Sequence, residues 1–125
     1  MSFEDFNLSD SLKESIASMG YTAATPIQQQ AIPLILQHKD LIACAQTGTG
    51  KTGAFLIPVL NKLTEVQQHY IRTLVLVPTR ELAKQIDEQL EGFSYFLPVT
   101  SIAVYGGGQG DVWDNQKNAM VNGVD

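Results

Sequence analysis

Apolar residues recur at helical spacing in four stretches, more weakly in a fifth, and cluster into strand-like segments in three. Leu12, Ile16 and Met19 line one face after Ser9, a good helix cap, and Gly20 supplies the stop. Thr25-Pro26-Ile27-Gln28 reads as a second start: Thr25 caps, Pro26 takes the first helical position and Gln28 closes a capping box. Ile27, Ala31 and Leu34 or Ile35 continue that face, with Pro33 expected to kink or restart the helix. A third helix carries Phe55, Leu56, Val59, Leu60 and Leu63, bent at Pro58, and a fourth, capped by Thr79, carries Leu82, Ile86 and Leu90 and ends at Gly92. Residues 111–122 are weakly helical around Trp113, Ala119 and Met120. Phe3 and Phe6 lie too near the terminus to be assigned to the core.

Residues 41–44, 73–77 and 99–104 read as strands, the middle one a continuous β-rich run suited to burial on both faces of a parallel sheet. Strands alternating with helices predict right-handed βαβ crossovers and a three-layer α/β domain.

Between the first strand and the third helix lies Ala45-Gln46-Thr47-Gly48-Thr49-Gly50-Lys51-Thr52, a relaxed form of the P-loop pattern with Ala at its first position. Gly48 and Gly50 permit a tight turn in which N–H groups converge, and a helix starting near Lys51 adds partial positive charge. Lys51 would reach the β- and γ-phosphates, and the Thr52 hydroxyl would ligate Mg²⁺. A glycine-rich turn without a ligand is the plain alternative; the apolar run before it and the helix after it favour nucleotide.

Ligands of parallel sheets sit beyond the carboxyl ends of the strands. Three segments reach that edge: Ala45–Thr52, Pro78–Arg80 and Tyr105–Gly108. Arg80, a helix start and bare glycine backbone together suit a second polyanionic ligand. A solvated arginine and an ordinary turn explain the same residues, and both readings stand. Gln28 is likewise explained by its capping box, with a ligand role left open.

Length and charge narrow the field. The 125 residues fit one domain, and a net charge of −5 argues against a generally basic nucleic-acid binder. Within residues 41–85, however, Lys51, Lys62, Arg72, Arg80 and Lys84 face only Glu65 and Glu81, so polyanion contact is expected from this middle third. Cys44 is the lone cysteine, which leaves no internal disulfide. It is expected as a small buried hydrophobe, in a reducing, cytoplasmic setting. No stretch has the length of a membrane span, no leader opens the chain, and neither His38 nor His69 has a partner at metal-ligand spacing.

Gly20-Tyr21…Thr25-Pro26-Ile27-Gln28, the loop Ala45–Thr52, Pro78-Thr79-Arg80-Glu81-Leu82 and Gly106-Gly107 resemble, in order, the Q motif, motif I, motif Ia and the GG motif of DEAD-box RNA helicases. The resemblance covers essentially the whole chain, and its short lead is most similar to bacterial members. It implies a P-loop NTPase domain of RecA-like type, with residues 1–38 forming the N-terminal helices and Q motif and residues 39–125 an incomplete first helicase domain. By this resemblance Gln28 reads adenine, Tyr21 stacks on the base and Phe3 supports that pocket. Ala45, Gln46, Thr47, Gly48, Thr49, Gly50, Lys51 and Thr52 hold ATP or ADP with Mg²⁺, Lys51 and Thr52 being the residues closest to catalysis. Pro78, Thr79, Arg80, Gly106 and Gly107 would touch the RNA backbone independently of sequence.

Ala24 stands where the family usually has Pro. Hydrolysis also needs a carboxylate that holds Mg²⁺ and positions water, and Asp125, after Val124, is the only weak candidate. The later motifs and the second RecA-like domain are not in the sequence. Weak nucleotide binding without turnover is therefore expected, together with self-association through exposed sheet edges. A P-loop ATPase or kinase with no RNA role, and a non-catalytic interaction module, remain as other readings.

Overall fold

A computed structural model of the chain describes residues 1–107 and 110–125. A 3₁₀ turn at Phe3–Asp5 precedes five helices: α1, Asp10–Ser18; α2, Pro26–Leu36; α3, Lys51–Glu65; α4, Arg80–Phe93; and α5, Gly110–Asn122. Their starts follow the capping residues. The Ser9 hydroxyl accepts from the Leu12 N–H at 3.4 Å, and Thr79 does the same for Leu82 at 3.2 Å. Gly20 adopts a left-handed φ of 80° just beyond α1, as a helix stop requires. Pro33 and Pro58 neither end nor restart their helices: α2 and α3 each run through as one element.

One apolar cluster joins the amino-terminal segment to the later helices. Phe3, Phe6, Leu8, Leu12, Ile16 and Ile32 pack with Leu56, Ile57, Leu60, Ile86 and Phe93. Phe3 and Phe6 thus belong to the core despite their place in the sequence, because the 3₁₀ turn folds them back against α1 and Tyr21. Ser9 N–H donates to the Asn61 Oδ1 at 2.8 Å, tying the start of α1 to α3. Gly92, expected to end α4, lies inside it; a Cβ there would press on the Met19 side chain, so the glycine serves a close crossing of α1 and α4. In α5 the buried residue is Gln116, whereas Trp113 is exposed.

Residues 41–44, 73–77 and 99–104 form no ladder; the described residues contain only an isolated bridge between Ser2 and Ala23. The reason lies in their spacing. The Asp125 carbonyl accepts from the Arg72 and Thr73 N–H groups at 2.8 and 2.9 Å, while the Asp125 N–H donates to the Thr100 carbonyl at 3.0 Å. Asp125 therefore sits between the amino ends of segments 73–77 and 99–104. Their other ends meet where Arg80 and Lys84 lie over the Tyr105 ring. Asp125 thus bridges the start of one segment to the start of the other, and Tyr105, which follows the second, lies under Arg80 and Lys84, which follow the first. The sequence reading expected strands at these positions, and the described residues form none there. Cys44 is exposed for the same reason, not buried as expected. No helix among the described residues is long and apolar enough to cross a membrane.

Candidate nucleotide and nucleic-acid site

The glycine-rich loop forms as its residues demand. Gly48 and Gly50 take left-handed φ angles of 79° and 82°, a region that excludes most side chains, and Gly50 leads directly into α3 at Lys51. The Thr49 hydroxyl donates to the Gln46 carbonyl at 2.6 Å, and the Lys51 ammonium donates to the Ala45 carbonyl at 2.6 Å. The lysine thus spans the loop from its last residue to its first. The first N–H groups of α3, which have no partner within the helix, start beside it.

Gln28 is the buried anchor of this loop. Its Oε1 accepts from the Thr25 N–H at 3.0 Å, and its Nε2 donates to the Gly50 carbonyl at 3.1 Å. One fully buried amide therefore caps α2 and holds the phosphate loop. The Thr25 hydroxyl faces the Gln28 N–H in the capping-box arrangement, but at a geometry that leaves it buried without a hydrogen bond. A Cβ at Gly50 would lie 2.5 Å from the Gln28 Nε2, and one at Gly53 would lie 3.0 Å from it. Both glycines are needed for that approach.

An aromatic series continues from Gln28. Phe93 sits 3.7 Å from where a Gly53 Cβ would be, the Phe93 and Tyr21 rings are 5.4 Å apart, and Tyr21 meets Phe3 edge-on at 6.3 Å. Tyr21 and Phe3 are thus in contact with each other, and Phe93 stands between Tyr21 and the Gly53 backbone beside Gln28. Phe93, fully buried, was missed by the sequence reading although it follows Leu90 by three residues on the same helical face.

The second group also assembles. Arg80 lies 5.7 Å and Lys84 5.4 Å from the centre of the Tyr105 ring, both within cation–π range. Gly107 has a φ of 84°, and a Cβ there would collide with the Arg80 guanidinium. Pro78, Thr79, Arg80, Gly106 and Gly107 are all exposed. Lys84 and Tyr105 enlarge the expected set; Lys84 follows Arg80 by four residues, one helical turn, which is the signal that could have found it. Gly108, part of the expected exit loop, lies outside the described residues.

Asp125 is not at this edge. Its carboxylate pairs with Arg72 and accepts from the Thr100 N–H at 3.1 Å, at the amino ends of the extended segments. Residues 73–79 lie between that contact and Arg80 along the chain. No cluster of three or more metal-binding side chains occurs among the described residues. For a triphosphate and Mg²⁺ the donors do fit. Two glycines keep the loop open to phosphate oxygens, Lys51 supplies charge, and Thr52, partly exposed at the start of α3, supplies a hydroxyl.

A profile of the DEAD/DEAH box helicase family matches residues 25–124. The chain is 44% identical over 122 residues to a probable ATP-dependent RNA helicase, ddx3, of Dictyostelium discoideum, covering 86% of this chain and 17% of the relative. It superposes with a TM-score of 0.86 on the RNA helicase Prp28 of Chaetomium thermophilum bound to ADP, at 38% identity, covering 98% of this chain and 30% of that one. A DEAD box protein from Methanococcus jannaschii gives 0.89 at 34% identity, over 99% and 33%. The fold is thus that of a RecA-like helicase domain, of which the chain spans a part. The chain belongs to the DEAD/DEAH box helicase family.

Proposed function

We propose that this chain binds an adenine nucleotide with Mg²⁺ through Ala45–Thr52 and Gln28, and lays Pro78–Arg80 and Gly106–Gly107 along an RNA backbone, as part of an ATP-dependent RNA helicase. The observation that carries this is the bond from Gln28 to the Gly50 carbonyl. It places an amide able to read adenine one hydrogen bond from the phosphate loop, a link that an ordinary glycine turn does not need. The amide keeps one N–H and one lone pair unused by these bonds. Because Gln28 is fully buried, base contact requires its cover to move, with Tyr21 and Phe3 forming the aromatic side of the pocket. Residues 1–38 then serve the base, and residues 39–125 the phosphates and RNA.

Thr52 would hold Mg²⁺, which when bound neutralises phosphate charge. Lys51 orients the phosphates, and the α3 start favours their charge. Asp125 pairs with Arg72 and so does not serve as the carboxylate that positions water; nucleotide binding without turnover is the reading proposed for this chain. RNA contact through exposed backbone and Arg80 is independent of sequence and weakens with salt. The unpaired extended segments make self-association the expected state. The lone, exposed Cys44 suits a reducing cytoplasm.

Titration with a fluorescent ATP analogue and Mg²⁺, paired with a phosphate-release assay, tests this. Saturable binding that Lys51→Ala abolishes is expected, with no release above blank. Binding unaffected by Lys51→Ala would refute the nucleotide assignment, and steady release would refute the absence of turnover.

A further inference from the structure

Apart from the apolar cavity of α3 and α4 beneath segments 73–77 and 99–104, a polar groove of about 450 Å³ lies at the end of α3 opposite the phosphate loop. Its walls are the turn into α1, the last turn of α3 and Leu97-Pro98 after α4. Two bonds between residues distant in sequence fix the spacing of these walls. The Ser9 N–H donates to the Asn61 Oδ1 at 2.8 Å, and the Phe96 N–H donates to the Ser15 Oγ at 3.3 Å. The groove is therefore formed before any ligand arrives.

Asn61 gives it its chemistry. The residue is only 6% exposed, and the bond from Ser9 fixes which amide atom is the oxygen. Its Nδ2 has no hydrogen-bond partner among the described residues, yet it is not sealed in the interior as the Thr25 hydroxyl is, so it opens on the groove. A nearly buried N–H that donates to nothing calls for an acceptor. Ser11, on the same wall, adds a hydroxyl, and the first N–H groups of α1 start beside it.

The α3 wall has the opposite character. Glu65 is exposed, makes no ion pair among the described residues, and stands at the negative end of the α3 dipole. Glu4, Asp5, Asp10 and Glu14 make the neighbouring amino-terminal segment acidic, and its Lys13 pairs with Glu4. Arg72 is held by the Leu63 and Val66 carbonyls and by Asp125. Leu97 and Pro98 supply apolar contact, which Tyr95 and Phe96, packed edge-on at 4.9 Å and 77% and 41% exposed, continue along the chain.

We propose that this groove docks an arginine-bearing, extended peptide segment of a protein partner. A backbone carbonyl of the peptide accepts from the Asn61 Nδ2, an arginine pairs with Glu65, and its apolar side chains rest on Leu97 and Pro98. Arginine suits the place better than lysine because its planar group pairs with a carboxylate through two N–H donors and stacks on exposed aromatic rings. Nucleic acid is repelled by the carboxylates. A polyamine or a metal ion meets Glu65 but leaves Asn61 without an acceptor.

An acetylated and amidated peptide of alternating arginine and leucine, titrated into isotopically labelled protein and followed by amide NMR, tests the contact. The Asn61 side-chain signals are identified by their loss in Asn61→Asp, which keeps the oxygen that accepts from Ser9. Saturable movement of those signals is expected, with spermine leaving them in place. By fluorescence anisotropy, Glu65→Gln, a change at an exposed position, should lower affinity for the labelled peptide by about fivefold, and lysine in place of arginine in the peptide should weaken it as well. Absence of saturable binding, binding that leaves the Asn61 signals unmoved, or equal affinity for Glu65→Gln would overturn the proposal. So would spermine or a uridine oligonucleotide moving the same Asn61 signals.

Discussion

Gln28 bears two duties on one side chain. Its bonds to the Thr25 N–H and the Gly50 carbonyl are both buried, so Gln28→Ala should destabilise the fold by about 1–3 kcal/mol for the groups left unpaired. It should also remove any preference of adenine over guanine. Chemical denaturation and nucleotide competition measure the two effects separately. A variant as stable as wild type would show that the amide does not hold the loop. Asp87 offers a test of a different kind. Burial beside the apolar cavity raises its carboxyl above the usual range, with Glu91 and then Glu88 adding to the effect. The folded state therefore binds this proton more tightly than the unfolded chain does. Its contribution to stability falls as pH rises from about the ordinary value, 3.8, through the raised one. Asp87→Asn should melt higher than wild type at pH 7, and the gain should shrink as pH is lowered toward 4. A gain that is constant with pH would contradict this reading.

At the level of elements, α4 connects the two halves of the site. Its first residue, Arg80, faces Tyr105 and Gly107, while its last, Phe93, packs on Tyr21 and beside Gly53. Phe93→Ala should cost about 3–5 kcal/mol as a fully buried aromatic. Nucleotide affinity should fall too, because Tyr21 loses its support; thermal melts and the same fluorescence titration check both. The helices, their caps and the loop were legible in the sequence because each is set by local chemistry: Ser9, Thr79 and Gly20 act on neighbours within a turn. The places of the apolar runs between the helices were legible for the same reason. Their pairing was not, since it depends on partners distant in sequence, and the backbone of Asp125 between residues 73 and 100 has no sequence signature. Phe3 and Phe6 were misjudged for a related reason. Terminal position says nothing of the 3₁₀ turn, begun by Ser2, that brings them back to the core.

Across the whole molecule, one core fixes the amino-terminal helices against α3 and α4, so the base-side and phosphate-side groups share a rigid support. The extended segments, by contrast, lie open at their edges. The central claim is that Gln28 and the loop Ala45–Thr52 act together on an adenine nucleotide. Competition of unlabelled ATP and GTP against a bound fluorescent ATP analogue, in Mg²⁺, tests it most directly. ATP should displace the probe at concentrations at least tenfold below GTP. Equal displacement by the two nucleotides, or no displacement by either, would contradict it.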